Sequence, residues 1–311
     1  MKKMKVLSSG YVSMDHIIKI NTPAKIGRTS IVTNKTNTLI YYGGCSVNIA
    51  AALCKLGIQT MPLLRVGGDY ESNGFKAFLN ENEIPTEGIK VLAEEVTSTC
   101  YLIQDNDGNH ITIYYPGAMD NRYSTSLSDA LFEDCSYGVI TVAAKEDNQE
   151  FYRQCKKHKI PIAFGMKADF NAFPKEFLWE LLCNSQIIFT NEAERAIIEE
   201  MYYLRSMTDL FADGKADMII TTYGKDGSRY EQRTSSGVLT GKTPACKVEE
   251  VVDATGAGDA YISGFLYGHF NGEGITTCCQ LGSALSAFVL EKEGCCTNFP
   301  SQEELYNRTR K

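Results

Sequence analysis

No stretch of this chain approaches the roughly 20 consecutive apolar residues that a helix needs to span a bilayer. The basic start Met1-Lys2-Lys3-Met4-Lys5 leads into an apolar segment broken at Ser8, Ser9 and Gly10, too short for the core of a secretory leader. Membrane insertion and export are therefore not expected, and a cytoplasmic location is. Positive charge is also sparse: 31 Lys and Arg stand against 38 Asp and Glu, giving −7 with no basic block, so no nucleic-acid-binding face is expected. Histidine is scarce. His16, His110, His158 and His269 are scattered and define no nucleophile, base and orienter. Cysteine is plentiful, but the spacing of a metal centre is missing. The 11 cysteines include the adjacent pairs Cys278-Cys279 and Cys295-Cys296 and no CxxC near a histidine, which excludes a zinc centre of ordinary spacing. An odd number in a long chain fits thiols packed in a core in a reducing compartment.

What is present is alternation. Short apolar runs at Val6-Leu7, Pro62 to Val66, Val139 to Val142, Ile162 to Phe164, Ile187 to Thr190 and Met218 to Thr222 read as buried strands. Ser46 to Leu56, Asn73 to Asn80, Ser126 to Phe132, Asn148 to His158, Glu176 to Leu182 and Glu192 to Met201 read as helices. Strand and helix in turn predict an α/β fold, with a mostly parallel central sheet flanked by helices on both faces. Residues 11–20, 30–42, 98–104 and 110–115 alternate polar with apolar side chains instead, and predict four antiparallel strands. The last two would be joined by Asp105-Asn106-Asp107-Gly108-Asn109 as a hairpin. Together they would make a small β-sheet lid over a site. The chain reads as a single domain over residues 1–311, with lid strands from about 11–42 and 98–116.

The most informative segment is Asp253-Ala254-Thr255-Gly256-Ala257-Gly258-Asp259, set between Val251-Val252 and an apolar run to Phe270. Small residues leave backbone N–H groups unshielded. A helix starting at Ala257 would aim its unpaired N–H groups and positive dipole end the same way, which makes an anion site. Asp259 falls in the first turn, where it can take a proton from a hydroxyl attacking that anion. In isolation the same residues also fit a capped helix after a glycine-rich turn. Tyr42-Gly43-Gly44-Cys45-Ser46-Val47-Asn48 precedes a helix of small residues. It offers close backbone approach and, at Asn48, a donor and an acceptor for a hydroxyl, or simply a turn before a tightly packed helix. Gly67-Gly68-Asp69 follows a strand and is expected to close the same pocket. Gly237 to Thr243 imitates a phosphate-binding P-loop but has three residues between its glycines and sits in a predicted hairpin. Gly256-Ala257-Gly258 lacks the third glycine of a dinucleotide fingerprint.

Taken together, Gly43-Gly44 with Asn48 and Leu56-Gly57, and the Asp253 to Asp259 motif, resemble the ribokinase, or PfkB, family of carbohydrate and nucleoside kinases. The likeness extends through Asp15, Gly67 and Asp69, Asn191 with Glu194, Thr222 with Gly224 and Gly227, and Gly294 before Asn298 and Pro300, so it covers nearly the whole chain. It implies a three-layer ribokinase-like fold and an ATP-dependent transfer of phosphate to a primary hydroxyl. By that resemblance Asp259 is the base, and the N–H groups of Gly256, Ala257 and Gly258 hold the transferring phosphoryl group. Asp15, Gly43, Gly44 and Asn48 hold the sugar. Asn191 and Glu194 organise Mg²⁺ beside the ATP phosphates, while Thr222, Gly224 and Gly227 line the nucleotide site. Asp253 and Thr255, with Asn298 and carbonyls near Val289, Lys292 and Gly294, imply a K⁺ site. Leu281-Gly282-Ser283-Ala284 departs from the family, which often carries Asn there near the adenine.

The lid segment ending Tyr114-Tyr115-Pro116-Gly117-Ala118-Met119 is most similar to prokaryotic adenosine-kinase-like members. Tyr41, Tyr42, Tyr114 and Tyr115 are candidates for stacking on a base, or for sheet packing. The resemblance thus leans to a nucleoside such as adenosine, with a simple sugar kinase of the ribokinase or fructokinase type as alternative and a silent ligand-binding relative behind both. An open lid sheet has a free edge and face, which predicts a homodimer through the lid.

Overall fold

The computed structural model describes residues 4–107 and 110–310; Met1-Lys2-Lys3 and the Gly108-Asn109 part of the expected hairpin lie outside the described residues. In chain order, the described strands are β1 (Lys5–Ser9), β2 (Ser13–Ile20), β3 (Tyr41–Gly43), β4 (Gln59–Gly67), β5 (Ile89–Leu92), β6 (Thr99–Asp105), β7 (His110–Tyr115), β8 (Tyr137–Ile140), β9 (Ile162–Gly165), β10 (Ile187–Asn191), β11 (Met218–Thr222), β12 (Ser228–Thr234) and β13 (Gly237–Thr243). The helices are α1 (Cys45–Lys55), α2 (Phe75–Glu81), α3 (Lys145–Lys157), α4 (Lys175–Asn184), α5 (Glu192–Met201), α6 (Leu210–Asp213), α7 (Ala257–Phe270), α8 (Ile275–Leu290) and α9 (Gln302–Thr309).

Nine strands form one sheet in the order β13-β12-β11-β10-β9-β8-β1-β4-β5. It is parallel from β5 to β11, and only β12 and β13 run antiparallel. Side chains alternate across it. Val6, Val139, Ile187 and Phe189 pack with α1, α7 and α8 on one face, while Leu7, Ile140, Phe164 and Ile188 pack with α3, α4 and α5 on the other. Because both faces are covered, the strands carry no polar stripe, as their continuous apolar runs anticipated. The hairpin around Gly237 to Thr243 is β12 with β13.

The lid is a second sheet in the order β3-β2-β6-β7. Two expectations need correction. The four strands are not all antiparallel: β2 pairs with β6 in parallel, Asp15 opposite Cys100, while β3 and β7 run antiparallel to their neighbours. Residues 30–42 are not one strand either, since only Tyr41–Gly43 pairs fully and Val32 makes a single bridge to Ile20. Between them the Asn34 side chain accepts from the Lys19 N–H at 2.9 Å and donates to the Ile17 carbonyl at 2.8 Å. It thereby takes the place of a ladder, and a 3₁₀ turn follows at Lys35–Thr38. The helix expected at Ser126 to Phe132 is likewise only a 3₁₀ turn at Asp129–Leu131.

Candidate active site

The parallel strands end on one side of the sheet, and loops leaving them surround a cavity of about 360 Å³. Gly165 at the end of β9, Lys167 beyond it, Thr190 and Asn191 of β10 and Thr222 of β11 line it, together with Gly258 and Asp259. That location, outside the carboxyl ends of parallel strands, is where open α/β sheets bind ligands. A second cavity of about 490 Å³ lies between the lid and the sheet, walled by Asp15, Cys100 and Tyr114 of the lid, by Gly44 and Asn48 at the start of α1, and by Thr255 and Gly256. Among the described residues, Asp259 and Lys167 are the two that line both cavities.

Asp259 is set by local geometry. Gly256 takes φ 78°, a left-handed conformation open to glycine, and caps α7 so that Asp259 falls in its first turn. A Cβ on Gly256 would lie 2.8 Å from that of Cys295, whereas Gly258 has open space beside it. The Ala257 N–H makes a long turn bond of 3.3 Å to the Ala254 carbonyl. Asp259 itself is 4 % exposed and accepts from the Asn48 side-chain amide at 2.8 Å. Asn48 in turn accepts from the Cys296 thiol at 3.3 Å, so α1, α7 and the loop after α8 meet at the carboxylate.

Across the lid cavity Asp15 projects from β2, 6 % exposed. Burial pushes its carboxyl up to about 6; the Ser13 hydroxyl it accepts from and the Lys167 charge work against this, and the Asp253 charge adds to it. Gly43 keeps room for it, since a Cβ there would fall 2.8 Å from Asp15 Oδ2. At the strand ends, Asn191 and Glu194 form a capping box on α5: Asn191 Oδ1 accepts the Glu194 N–H and Glu194 Oε2 accepts the Asn191 N–H, each at 2.8 Å. Glu194 lines the cavity, and burial raises its carboxyl pKa against the opposing Asn191 N–H and Lys167 charge.

The model of the pfkB family carbohydrate kinases matches residues 3–302. The chain belongs to the pfkB family. A nucleoside kinase of Methanocaldococcus jannaschii is 26% identical over 100% of this chain and 98% of its own length. One of Methanothermobacter thermautotrophicus is 28% identical over 97% and 94%. The crystal structure of the Methanocaldococcus jannaschii nucleoside kinase, an archaeal member of the ribokinase family, superposes with a TM-score of 0.87 over 99% of both chains at 25% identity. A Burkholderia thailandensis nucleoside kinase in complex with inosine has the same fold, with a TM-score of 0.86 over 98% of this chain and 97% of its own at 22% identity. This pfkB-family protein is thus a phosphotransferase acting on an alcohol, a nucleoside or sugar kinase.

Several residues singled out from the kinase's sequence stand elsewhere than in the cavity walls. Gly224 (φ 55°) and Gly227 (φ 88°) shape the turn from β11 to β12, where a Cβ on Gly227 would meet the Thr243 carbonyl at 2.1 Å. Asp253 accepts the N–H groups of Thr255 at 2.9 Å and Gly294 at 3.0 Å, and so pins the glycine loop to the loop after α8. Asn298 donates to the Phe288 carbonyl at 2.6 Å at the end of α8. Asp69 accepts from the backbone N–H and hydroxyl of Thr97, holding β4 to the base of the lid, and Gly67-Gly68-Asp69 line neither cavity. Of the four tyrosines, only Tyr114 faces the lid cavity, its ring 5.2 Å from that of Tyr11. Tyr41 donates to Glu293, Tyr42 packs on Phe75 and Phe78, and Tyr115 is exposed. Leu281-Gly282-Ser283-Ala284 packs α8 on α7: a Cβ on Gly264 would lie 2.4 Å from the Leu281 carbonyl, and Ser283 accepts the Cys246 N–H at 2.7 Å. The motifs also missed Tyr11 and Lys167, each of which follows a single glycine, Gly10 or Gly165, at a strand end with no further spacing to mark it.

Proposed function

We propose that the chain is an ATP-dependent nucleoside kinase that phosphorylates the primary hydroxyl of the ribose. The observation that carries this reading is the placement of Asp259 in the walls of both cavities, with the glycine loop beside it. ATP occupies the strand-end cavity and the nucleoside the lid cavity. The acceptor oxygen bonds to the γ-phosphorus as the bond to the β-phosphate oxygen breaks, its electron pair leaving with ADP, and Asp259 takes the hydroxyl proton. The N–H groups around Gly256 and Gly258 supply dipoles for the equatorial oxygens, and the rest is placement.

A nucleoside suits the lid cavity better than a free pentose does. Its size falls within the range of about 300–1,000 Å³ that takes compact organic ligands. Beyond the polar end at Asp15 and Asn48 its wall carries the rings of Tyr11 and Tyr114 with Leu102 and Val142, surfaces for a base. Asn48, whose amide is engaged by Asp259, orients the base as well as facing the sugar.

Mg²⁺ fits Glu194, a carboxylate that burial penalises and a nearby cation would relieve, with Asn191 beside it. When bound it neutralises phosphate charge. K⁺ fits the oxygen-lined seam of Asp253, Thr255 and Gly294, held together by the Gly294 N–H to Asp253 bond. The outer lid face exposes Tyr101, Ile111, Ile113 and Tyr115, apolar surface suited to a second copy of the chain. Sedimentation showing monomer alone at micromolar concentration would exclude that dimer.

The test is ATP consumption with adenosine, inosine, cytidine, ribose, fructose and phosphorylated sugars, in Mg²⁺ with K⁺ or with choline, for wild type and Asp259→Asn. Turnover on nucleosides, reduced at least about 1,000-fold in Asp259→Asn while nucleoside binding persists, is expected. Turnover only on sugars would overturn the nucleoside reading, and binding without turnover the enzymatic one.

A further inference from the structure

Lys167 shares with Asp259 the junction of the two cavities, although it belongs to none of the sequence motifs. It stands just past Gly165, where β9 ends, as an exposed side chain that lines both cavities. No direct ion pair among the described residues involves it. Beside it in the lid cavity is Cys45, whose thiol is pushed up to about 12 by burial and by the Asp259 charge, and which is therefore neutral near pH 7. The Cys45 sulfur and the Asp259 carboxylate together hold the Lys167 ammonium above the ordinary lysine range. The chain thus keeps a cation at the crossing point, beside Asp259 and open to solvent, where an incoming anion can reach it.

The charge around it sharpens the point. Asp15, Asp169, Asp259 and Glu194 line the two cavities, and the glycine loop answers an incoming phosphate with dipoles only. A triphosphate placed among four carboxylates needs a fixed positive charge near the group that moves. We propose that Lys167 contacts the transferring phosphoryl group, as a charge-stabilising catalytic residue that bridges the nucleotide and acceptor sides of the site. This rests on the phosphoryl-transfer reading above. The lysine keeps its proton throughout, because the acceptor's proton goes to Asp259 and the electron pair of the broken bond leaves on ADP. Its ammonium is a point charge able to follow the phosphorus from one cavity toward the other.

The test compares Lys167→Met, Lys167→Gln and Lys167→Arg with wild type in the full chain. Calorimetry measures binding of ADP and of the non-hydrolysable β,γ-imido analogue of ATP, alongside kcat and each KM. Loss of a charge that touches only the terminal phosphoryl should weaken the imido analogue about 10-fold or more and leave ADP within about 2-fold. The kcat should fall at least about 100-fold in Lys167→Met, with partial recovery in Lys167→Arg. Equal weakening of ADP and analogue, or unchanged binding and kcat, would overturn the proposal. Should Lys167→Met fail to fold by thermal melting, Lys167→Gln and Lys167→Arg carry the comparison. The binding pair decides for Lys167 even if wild type turns over no acceptor, an outcome that would count against the kinase reading alone.

Discussion

Replacing Asp15 with Asn should make the protein more stable and the enzyme worse. Asp15 is 6 % exposed, and its carboxyl is pushed from 3.8 to about 6, chiefly by burial. Between those two values the folded chain binds more protons at this position than the unfolded chain does. Stability therefore falls as pH rises through the window and stays lower above it. The interval corresponds to about 3 kcal/mol of destabilisation at pH 7, at about 1.4 kcal/mol for each unit of pH. Asn is nearly isosteric, still accepts from the Ser13 hydroxyl through its carbonyl oxygen, and carries no charge to desolvate. Denaturant unfolding of wild type and Asp15→Asn from pH 4 to pH 8 should give curves that nearly coincide at the acid end. They should separate as pH rises, until the variant is up to about 3 kcal/mol the more stable near neutrality. At the same time, the loss of charge-assisted bonds to acceptor hydroxyls, about 1.5–3 kcal/mol each, should raise the acceptor KM about 10- to 100-fold or more. Nucleoside binding to wild type near pH 5.5 should release protons, because hydroxyl donors favour the ionised carboxylate. Parallel pH profiles for the two proteins, or an Asp15→Asn variant less stable at pH 7, would refute the assignment of burial as the dominant cause.

Two further outcomes follow from the contacts that hold the lid. Gly44 takes φ 94°, and a Cβ there would lie 2.2 Å from the Tyr11 carbonyl oxygen and 2.7 Å from Val12 Cα, both rigid backbone. Gly44→Ala should cost about 3 kcal/mol or more in denaturant unfolding and impair the acceptor KM, because the chain entering the lid must move away from α1. Glu293 holds three lid groups, Lys19 at 2.9 Å, Tyr41 at 2.8 Å and Thr36 at 3.2 Å, beside the Gly294 N–H that binds Asp253. Glu293→Ala should speed hydrogen exchange in β2 and β3 and raise the acceptor KM about 5-fold, consistent with the loss of a partly exposed clasp, and an unchanged exchange rate would show that the lid is held by its sheet pairing alone.

The features legible in the chain are those that short-range chemistry fixes. Unbroken apolar runs such as Ile187 to Phe189 can be satisfied only between two helical layers, so the parallel sheet could be read from them. Gly256 and Gly258 with Asp259 define a helix start and its first-turn carboxylate within a few residues, and the motif therefore announced itself. The helix read from Glu192 onward begins at the capping box of Asn191 and Glu194, a pairing that is local by nature.

Tertiary structure decided what depends on partners far away in sequence. Strand periodicity puts Tyr114 and Tyr115 on opposite faces, but which face is inward follows from the pairing of β7 with β6, where Tyr114 lies opposite Cys100. Residues 30–40 alternate like a strand, yet the Asn34 amide satisfies the Ile17 and Lys19 backbone itself and no ladder is needed. Lys167 carries no local signature. It joins Asp259 only because β9 ends beside the start of α7 across the sheet, a contact set by packing and topology. The sequence by itself thus determined the layers, the glycine loop and the first-turn carboxylate, because hydrophobic periodicity and helix-end chemistry act over a few residues. The lid's facing, the Asn48 to Asp259 bond and the cation between the two cavities were decided only by the fold, because each is a meeting of groups that the chain keeps apart until it closes.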